Sequence, residues 1–222
     1  MADMQDASAI MTVAMGMAPW DATGFALMLL MWVVMMTGMM LPGAAPTILL
    51  FAAIHRKQTS RVMPYARTAA FALGYVLVWT AFSLLATISQ SALLQASLLS
   101  PMLVSTSSAL GGTLLIAVGI YQWTPQKRVC LDNCRSPLDF ILFRWRGDTG
   151  GALRMGVEHG AYCLGCCGLL MSLLFIGGVM NLLWVALIAL LVLIEKLSPG
   201  RPRLAQVAGG AMITAGVYLL GS

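Results

Sequence analysis

Apolar residues run along this chain in six long stretches, separated by shorter segments that hold most of the charge. The stretches cover residues 24–54, 68–89, 103–123, 151–179, 182–194 and 204–220. A membrane-crossing helix needs about 20 apolar residues. The fifth stretch reaches that length only by borrowing Asn181, Glu195 and Lys196 at its ends. The first exceeds it, and Pro42 and Pro46 predict a kink there or an end to its regular part. Gly177-Gly178-Val179-Met180-Asn181 is short enough to predict an antiparallel hairpin of the fourth and fifth helices. Continuous rather than alternating hydrophobicity disfavours a β-barrel. The expected fold is therefore all-α: a polytopic membrane helix bundle of about six transmembrane helices. One domain, 24–222, carries a loop at 124–150 and follows a methionine-containing tail, 1–23.

Composition agrees with that pattern. Of 222 residues 59% are hydrophobic and only 9% charged, with a mean hydropathy of +0.86. A soluble globular domain carries about a quarter charged residues, and a disordered chain is poor in apolar ones. Charge placement then predicts orientation. All 13 basic residues fall in or beside alternate loops: Arg56 to Arg67, Lys127 to Arg154, and Lys196 to Arg203. Basic loops stay cytoplasmic, so both termini are expected outside and the loop at 124–150 inside. The net charge of +5 thus calls for no nucleic-acid partner. Residues 1–23 hold Asp3, Asp6 and Asp21 but no Lys or Arg, which argues against a cleavable signal peptide. Within the loop, Ser136-Pro137-Leu138-Asp139 has the form of a helix start, and Phe140 to Arg146 suits the headgroup layer. The glycine pairs Gly111-Gly112, Gly177-Gly178 and Gly209-Gly210 would admit close helix contacts.

Chemistry concentrates in the fourth helix. At about 100° per residue, Met155, His159, Cys163, Cys166, Cys167 and Met171 share an arc of roughly 120°. Thiolate, imidazole and thioether on one face suit Cu(I), or Zn(II) where thiolates dominate. A lone membrane cysteine usually just packs. His, Cys and Cys at i, i+4 and i+7, with Cys167 adjoining, form a ligand pattern instead, although one helix cannot close a site alone. The first helix is the natural contributor. Its stripe of Met28, Met31, Met35 and Met39, edged by Met36 and Met40, lies about 16–24 Å along that helix in its Met35–Met40 part. Cys163 to Cys167 lie about 18–24 Å along theirs from the opposite side, so both clusters fall near the midplane. Met4, Met11, Met15 and Met17 of the tail resemble, weakly, the thioether clusters of copper-uptake proteins.

Cys130 and Cys134 sit among Lys127, Arg128 and Arg135, cations expected to lower the thiol pKa and favour metal capture or redox attack. The two thiols form either a metal hand-off pair or an incidental pair. A stable disulfide is not expected in a reducing cytoplasm. Intramembrane acids are costly and so functional candidates. Glu195 is expected to pair with Lys196, whereas Glu158 is placed to pair with His159 of another helix or to move protons.

These motifs resemble a bacterial family of unknown function whose members are described as predicted metal-binding integral membrane proteins. The resemblance is carried by Met39-Met40-Leu41-Pro42 and by Cys130-Leu131-x-x-Cys134-Arg135-Ser136-Pro137. It continues in Met155-Gly156-x-x-His159-Gly160-x-Tyr162-Cys163-x-Gly165-Cys166-Cys167, Leu170-Met171, Gly178-x-Met180-Asn181 and Glu195-Lys196. It implies a multi-pass protein of the bacterial inner membrane with metal ligands at these positions, and it implies no reaction.

The leading expectation is a soft-metal protein, copper before zinc, that binds, transports or delivers its ion without catalytic turnover. Its ligands would be His159, Cys163, Cys166, Cys167, Met35 and Met39, with Cys130 and Cys134 receiving or releasing the ion. Glu158 and Glu195 would support the ligands or carry protons. Partners would be the membrane, the ion, and a metallochaperone or a metalloenzyme complex. The alternative is a quinone-coupled membrane thiol-disulfide oxidoreductase using Cys163 and Cys166. Its difficulty is topological, because a disulfide-generating shuttle belongs outside.

Overall fold

The computed structural model describes residues 21–58, 64–98, 107–197 and 202–221. The methionines of the tail, Met4 to Met17, lie outside the described residues. Those described are helical, with no strand among them. In chain order the helices are α1 (Ala22–Gln58), α2 (Pro64–Gln95), α3 (Ser108–Tyr121), α4 (Pro125–Arg135), α5 (Pro137–Arg144), α6 (Thr149–Ser172), α7 (Leu182–Leu197) and α8 (Pro202–Gly221). A single further turn, Leu174–Gly177, follows α6.

Four segments are long and apolar enough to cross a membrane: Ala22–Arg56, Tyr65–Gln95, Thr149–Gly177 and Arg203–Gly221. The helices α3 and α7, of 14 and 16 residues, are shorter than a full crossing. Much of the exterior is apolar, with Leu30, Val34, Leu49, Leu85, Leu183 and Val207 all largely exposed. A water-soluble monomer rarely shows apolar surface on that scale.

Neither proline ends α1, which runs unbroken for 37 residues through Pro42 and Pro46. Each ring removes a single N–H, and packed neighbours in an apolar bundle tolerate that loss. The buried edge of α1 recurs every fourth residue, at Gly24, Met28, Trp32, Met36, Met40 and Ala44. Rows at this spacing slant across a helix and seat it against a crossing neighbour. That neighbour is α2, whose buried row includes Phe71, Tyr75, Trp79, Ser83, Thr87 and Gln90. Trp32 Nε1 donates to Gln90 Oε1 at 2.7 Å, and Gln90 Nε2 donates to Met28 Sδ at 3.2 Å. Ser83 and Thr87 bond back to the carbonyls of Trp79 and Ser83, both at 2.8 Å. Trp32, Ser83, Thr87 and Gln90 thereby find partners within or between these two helices, whereas the buried Trp79 Nε1 has none among the described residues.

Glycine sets the two most extensive helix pairs, α2 with α6 and α3 with α8. At Gly156 a Cβ would stand 2.0 Å from the Phe71 carbonyl oxygen, and at Gly74 one would stand 2.2 Å from that of Leu153. Gly119 and Gly209 meet backbone to backbone in the same way, as do Gly112 and Gly216. Of the glycine pairs singled out in the sequence, two therefore supply close contacts through Gly112 and Gly209. The third turns the chain: Gly178 adopts φ 81°, and Gly177 faces the Trp184 ring, whose Nε1 donates to the Leu173 carbonyl at 2.9 Å. Gly156→Ala is expected to lower stability by about 1–3 kcal/mol, the usual cost of overpacking. Thermal unfolding in detergent measures it, and an unchanged midpoint would contradict the contact.

The loop predicted at 124–150 holds two helices, each with a proline at its first position, but only the first has a side-chain cap. Thr124 accepts from Lys127 N at 3.3 Å ahead of Pro125, and Ser136 precedes Pro137. In α5, Phe140 and Ile141 are buried while Leu142 and Phe143 are exposed, the latter 87%, as its amphipathic sequence predicts. Helix α4 packs on α6, and that placement brings the two halves of the site together.

Candidate metal centre

Asp148 caps α6, accepting from Gly151 N at 3.1 Å. The helix presents Met155, His159, Cys163, Cys166, Cys167 and Met171 to the interior, each no more than 2% exposed. The three thiols of Cys163, Cys166 and Cys167 lie within 4.8 Å of one another. All five cysteines are free.

Other helices complete the surroundings. From α1, Met40 Sδ approaches Cys167 Sγ to 3.7 Å. From α4, Cys134 Sγ lies 3.8 Å from Cys166 Sγ. From α2, the Tyr75 hydroxyl donates to the Met40 carbonyl at 3.1 Å and stands 3.1 Å from Cys163 Sγ. From α7, Lys196 Nζ donates to Cys163 Sγ at 3.0 Å. Cys163 and Cys167 are 3.9 Å apart, Sγ to Sγ. Soft donors from three helices thus converge on a buried point, with one cation beside them. Such a constellation suits a thiophilic ion of low coordination number.

Cys130 is half-buried and lies over Gly165, where an added Cβ would come within 2.6 Å of its Sγ. Cys134 and Cys130 therefore extend the thiols from the closed cluster toward the surface, one helical turn apart on α4. The expected activation by neighbouring cations is not what the structure shows. Burial pushes the Cys130 thiol up, and the nearby Cys166 adds to the rise. Hydrogen bonding with Cys163 and Cys166, and then burial, hold Cys134 well above the ordinary thiol value. Lys127 and Arg135 are engaged by Glu195 instead.

Other expected site residues lie further out. His159 is enclosed by the rings of Phe71, Tyr75 and Phe140, at centroid distances of 6.1, 5.8 and 5.1 Å. Its Nδ1 is buried with no hydrogen-bond partner among the described residues, and the ring stands outside the closed thiol group. Met35 and Met39 are half-buried and pack against the core, whereas Met36 and Met40 are wholly buried. Glu158 does not pair with His159. It meets Arg144 at 2.8 Å, Arg154 at 3.3 Å and Arg146 at 3.7 Å near the protein surface.

Nor does Glu195 pair with Lys196. Glu195 accepts from Lys127 Nζ at 2.7 Å and from Gln122 Nε2 at 3.2 Å, all three groups being buried. Lys127 Nζ also donates to Gln122 Oε1, and Arg135 Nε donates to the Glu195 carbonyl at 2.8 Å. This network fastens α4, and with it Cys134, to α3 and α7. The sequence signalled only that Glu195 needs a partner other than Lys196, because adjacent residues on a helix point about 100° apart. Tyr75 had no such signal, since an aromatic among apolar neighbours looks like ordinary core.

A family model described as "PpoB2: Copper chaperone" matches residues 29–219. No match was found among curated proteins or among solved structures.

Proposed function

The chain belongs to the PpoB2 copper chaperone family, and from that premise we propose that it holds Cu(I) on Cys163, Cys166 and Cys167 inside a membrane bundle. One observation carries this reading: three buried thiols within 4.8 Å of one another. Copper binding and delivery follow from the family and the cysteine cluster together. The oxidation state is argued from chemistry, since a buried cluster of sulfur donors favours the soft monovalent ion, with Zn(II) the second choice.

In this proposal Met40 is the thioether neighbour of the thiol cluster, and Met35 and Met39 line the approach from α1. His159, one turn from Cys163, stands as a reserve ligand with a free ring nitrogen. Cys134 and then Cys130 pass the ion between the cluster and a partner protein, a metallochaperone or a metalloenzyme complex. The bundle spans the bacterial inner membrane with α1, α2, α6 and α8 as full-length crossings and the shorter α3 and α7 making up six passes with their flanking residues, which puts residues 1–23 and the C-terminus outside and α4 and α5 on the cytoplasmic side. The positions of the basic residues and the apolar exterior support that arrangement. Glu158, held by three arginines, serves the surface of α6 rather than the metal, and Glu195 anchors α4.

Thiol-disulfide exchange is the second reading, favoured by the 3.8 Å between Cys134 Sγ and Cys166 Sγ. The two separate experimentally. Protein purified anaerobically in detergent and loaded with Cu(I) is expected to retain a stoichiometric ion through desalting. Folded protein that retains none, while a Cys134–Cys166 disulfide forms and is reduced in cells with quinone status, would replace the copper reading with the redox one.

A further inference from the structure

We propose that the Lys196 ammonium is the built-in counter-cation of the thiol cluster and tunes it to a monovalent soft ion over a divalent one. The inference rests on the copper reading above and adds what selects the ion.

The placement of Lys196 is specific. Its side chain is 8% exposed, and among the described residues it forms no ion pair with a carboxylate. The acid next to it in sequence, Glu195, is committed to Lys127. The stem instead passes Gly43 of α1, where a Cβ would stand 3.0 Å from both Cδ and Nζ, and ends 3.0 Å from Cys163 Sγ. Gly43 thus leaves the room that this lysine occupies. An ammonium taken out of water without an anion is costly, and the anion this geometry offers is a cysteine thiolate.

Charge balance in a buried site then separates the ions. With two of the three clustered thiols ionised and the third still carrying its proton, the two thiolates, one monovalent cation and the ammonium are neutral together. A divalent ion on the same two thiolates leaves a surplus positive charge, and balance returns only if a third buried thiol gives up its proton. Without the ammonium the order reverses: the divalent complex of two thiolates is neutral and the monovalent one carries an unbalanced negative charge. Coulomb terms at 3–4 Å in a poorly solvated site are large enough to govern affinity. Tyr75, the remaining polar group at Cys163, is neutral and hydrogen-bonded, so Lys196 is the only fixed charge shown in contact with the cluster's thiols among the described residues.

The test compares full-length wild type with Lys196→Gln, Lys196→Met and Lys196→Arg in detergent. Each is titrated with Cu(I) and with Cd(II), a thiophilic divalent probe, against competing chelators. The readout is the ratio of the two affinities, which a loss of packing alone does not move in one direction. Both neutral variants are expected to lower the Cu(I)-to-Cd(II) ratio by about tenfold or more, and Lys196→Arg to restore most of it. Two neutral side chains of different shape are used so that one foldable variant suffices. An unchanged ratio in a folded neutral variant, or equal weakening of both metals, overturns the proposal. Wild type that binds no Cu(I) removes the copper reading itself, a failure distinct from wild type that binds while its ratio ignores residue 196.

Discussion

Cys163→Ser is expected to abolish retention of Cu(I) while leaving the helical fold in place. Cys163 stands at the middle of the cluster, touching Tyr75 and Lys196 and lying 3.9 Å from Cys167. Oxygen is a hard, weak donor for a soft cation. Zinc sites with four ligands bind with about 10–16 kcal/mol, so one ligand is worth about 3 kcal/mol, or roughly a hundredfold in affinity. Loss of a central thiolate should therefore weaken binding by about that factor, enough to strip the ion during desalting. Cys130→Ser is the contrasting case. Cys130 is half-buried on α4 and outside the closed group, so retention should survive while transfer to an external Cu(I) acceptor slows. Measured copper content and transfer rate check both. Full retention by Cys163→Ser would move the ion elsewhere in the protein.

The second large effect is expected at Lys127. Lys127 and Glu195 are 1% and 2% exposed and 2.7 Å apart. Removing one member of a buried pair leaves an uncompensated charge and costs about 3–5 kcal/mol. Lys127→Met should accordingly lower the unfolding midpoint by about 10 °C for a chain of this size. Lys127→Met with Glu195→Leu should recover most of the loss, because replacing both partners by apolar groups removes the desolvation penalty along with the attraction. Circular dichroism melts of the single and double variants give the answer, and a single variant as stable as wild type would refute the pairing. In Lys127→Met the network that holds α4 against α7 is broken, so Cys134 should also react faster with a thiol reagent.

Comparison of particular elements shows why some features were legible in the sequence. Runs of apolar residues announced the long helices because in a bilayer a helix satisfies its backbone internally and its apolar side chains either pack in the bundle or face lipid. Residues on one helix were equally legible. The turn of about 100° per residue placed His159, Cys163, Cys166 and Cys167 on one face before any fold was known, and all four are buried. Thr124-Pro125 carried the same start signal as Ser136-Pro137, yet α4 was hidden inside a loop because its polar composition offered no apolar run. On α1, four methionines at helical spacing pointed to Met35 and Met39, whereas the row every fourth residue carries Met36 and Met40 inward. Neighbouring stripes on one helix differ by a rotation, and only the partner helix chooses between them.

Sequence by itself determined the helical architecture, the apolar exterior and the face on which α6 carries its sulfur and imidazole, all of them consequences of local geometry and composition. Tertiary structure alone decided which groups meet: Met40 and Cys134 at the thiols, Lys196 at Cys163, Lys127 at Glu195, and His159 withdrawn among aromatic rings. Those meetings depend on glycine contacts such as Gly74 and Gly156, which set how closely α2 and α6 approach and hence what lies opposite Cys163. Pairings across helices are set by packing of the whole bundle, and no periodicity along one segment encodes them.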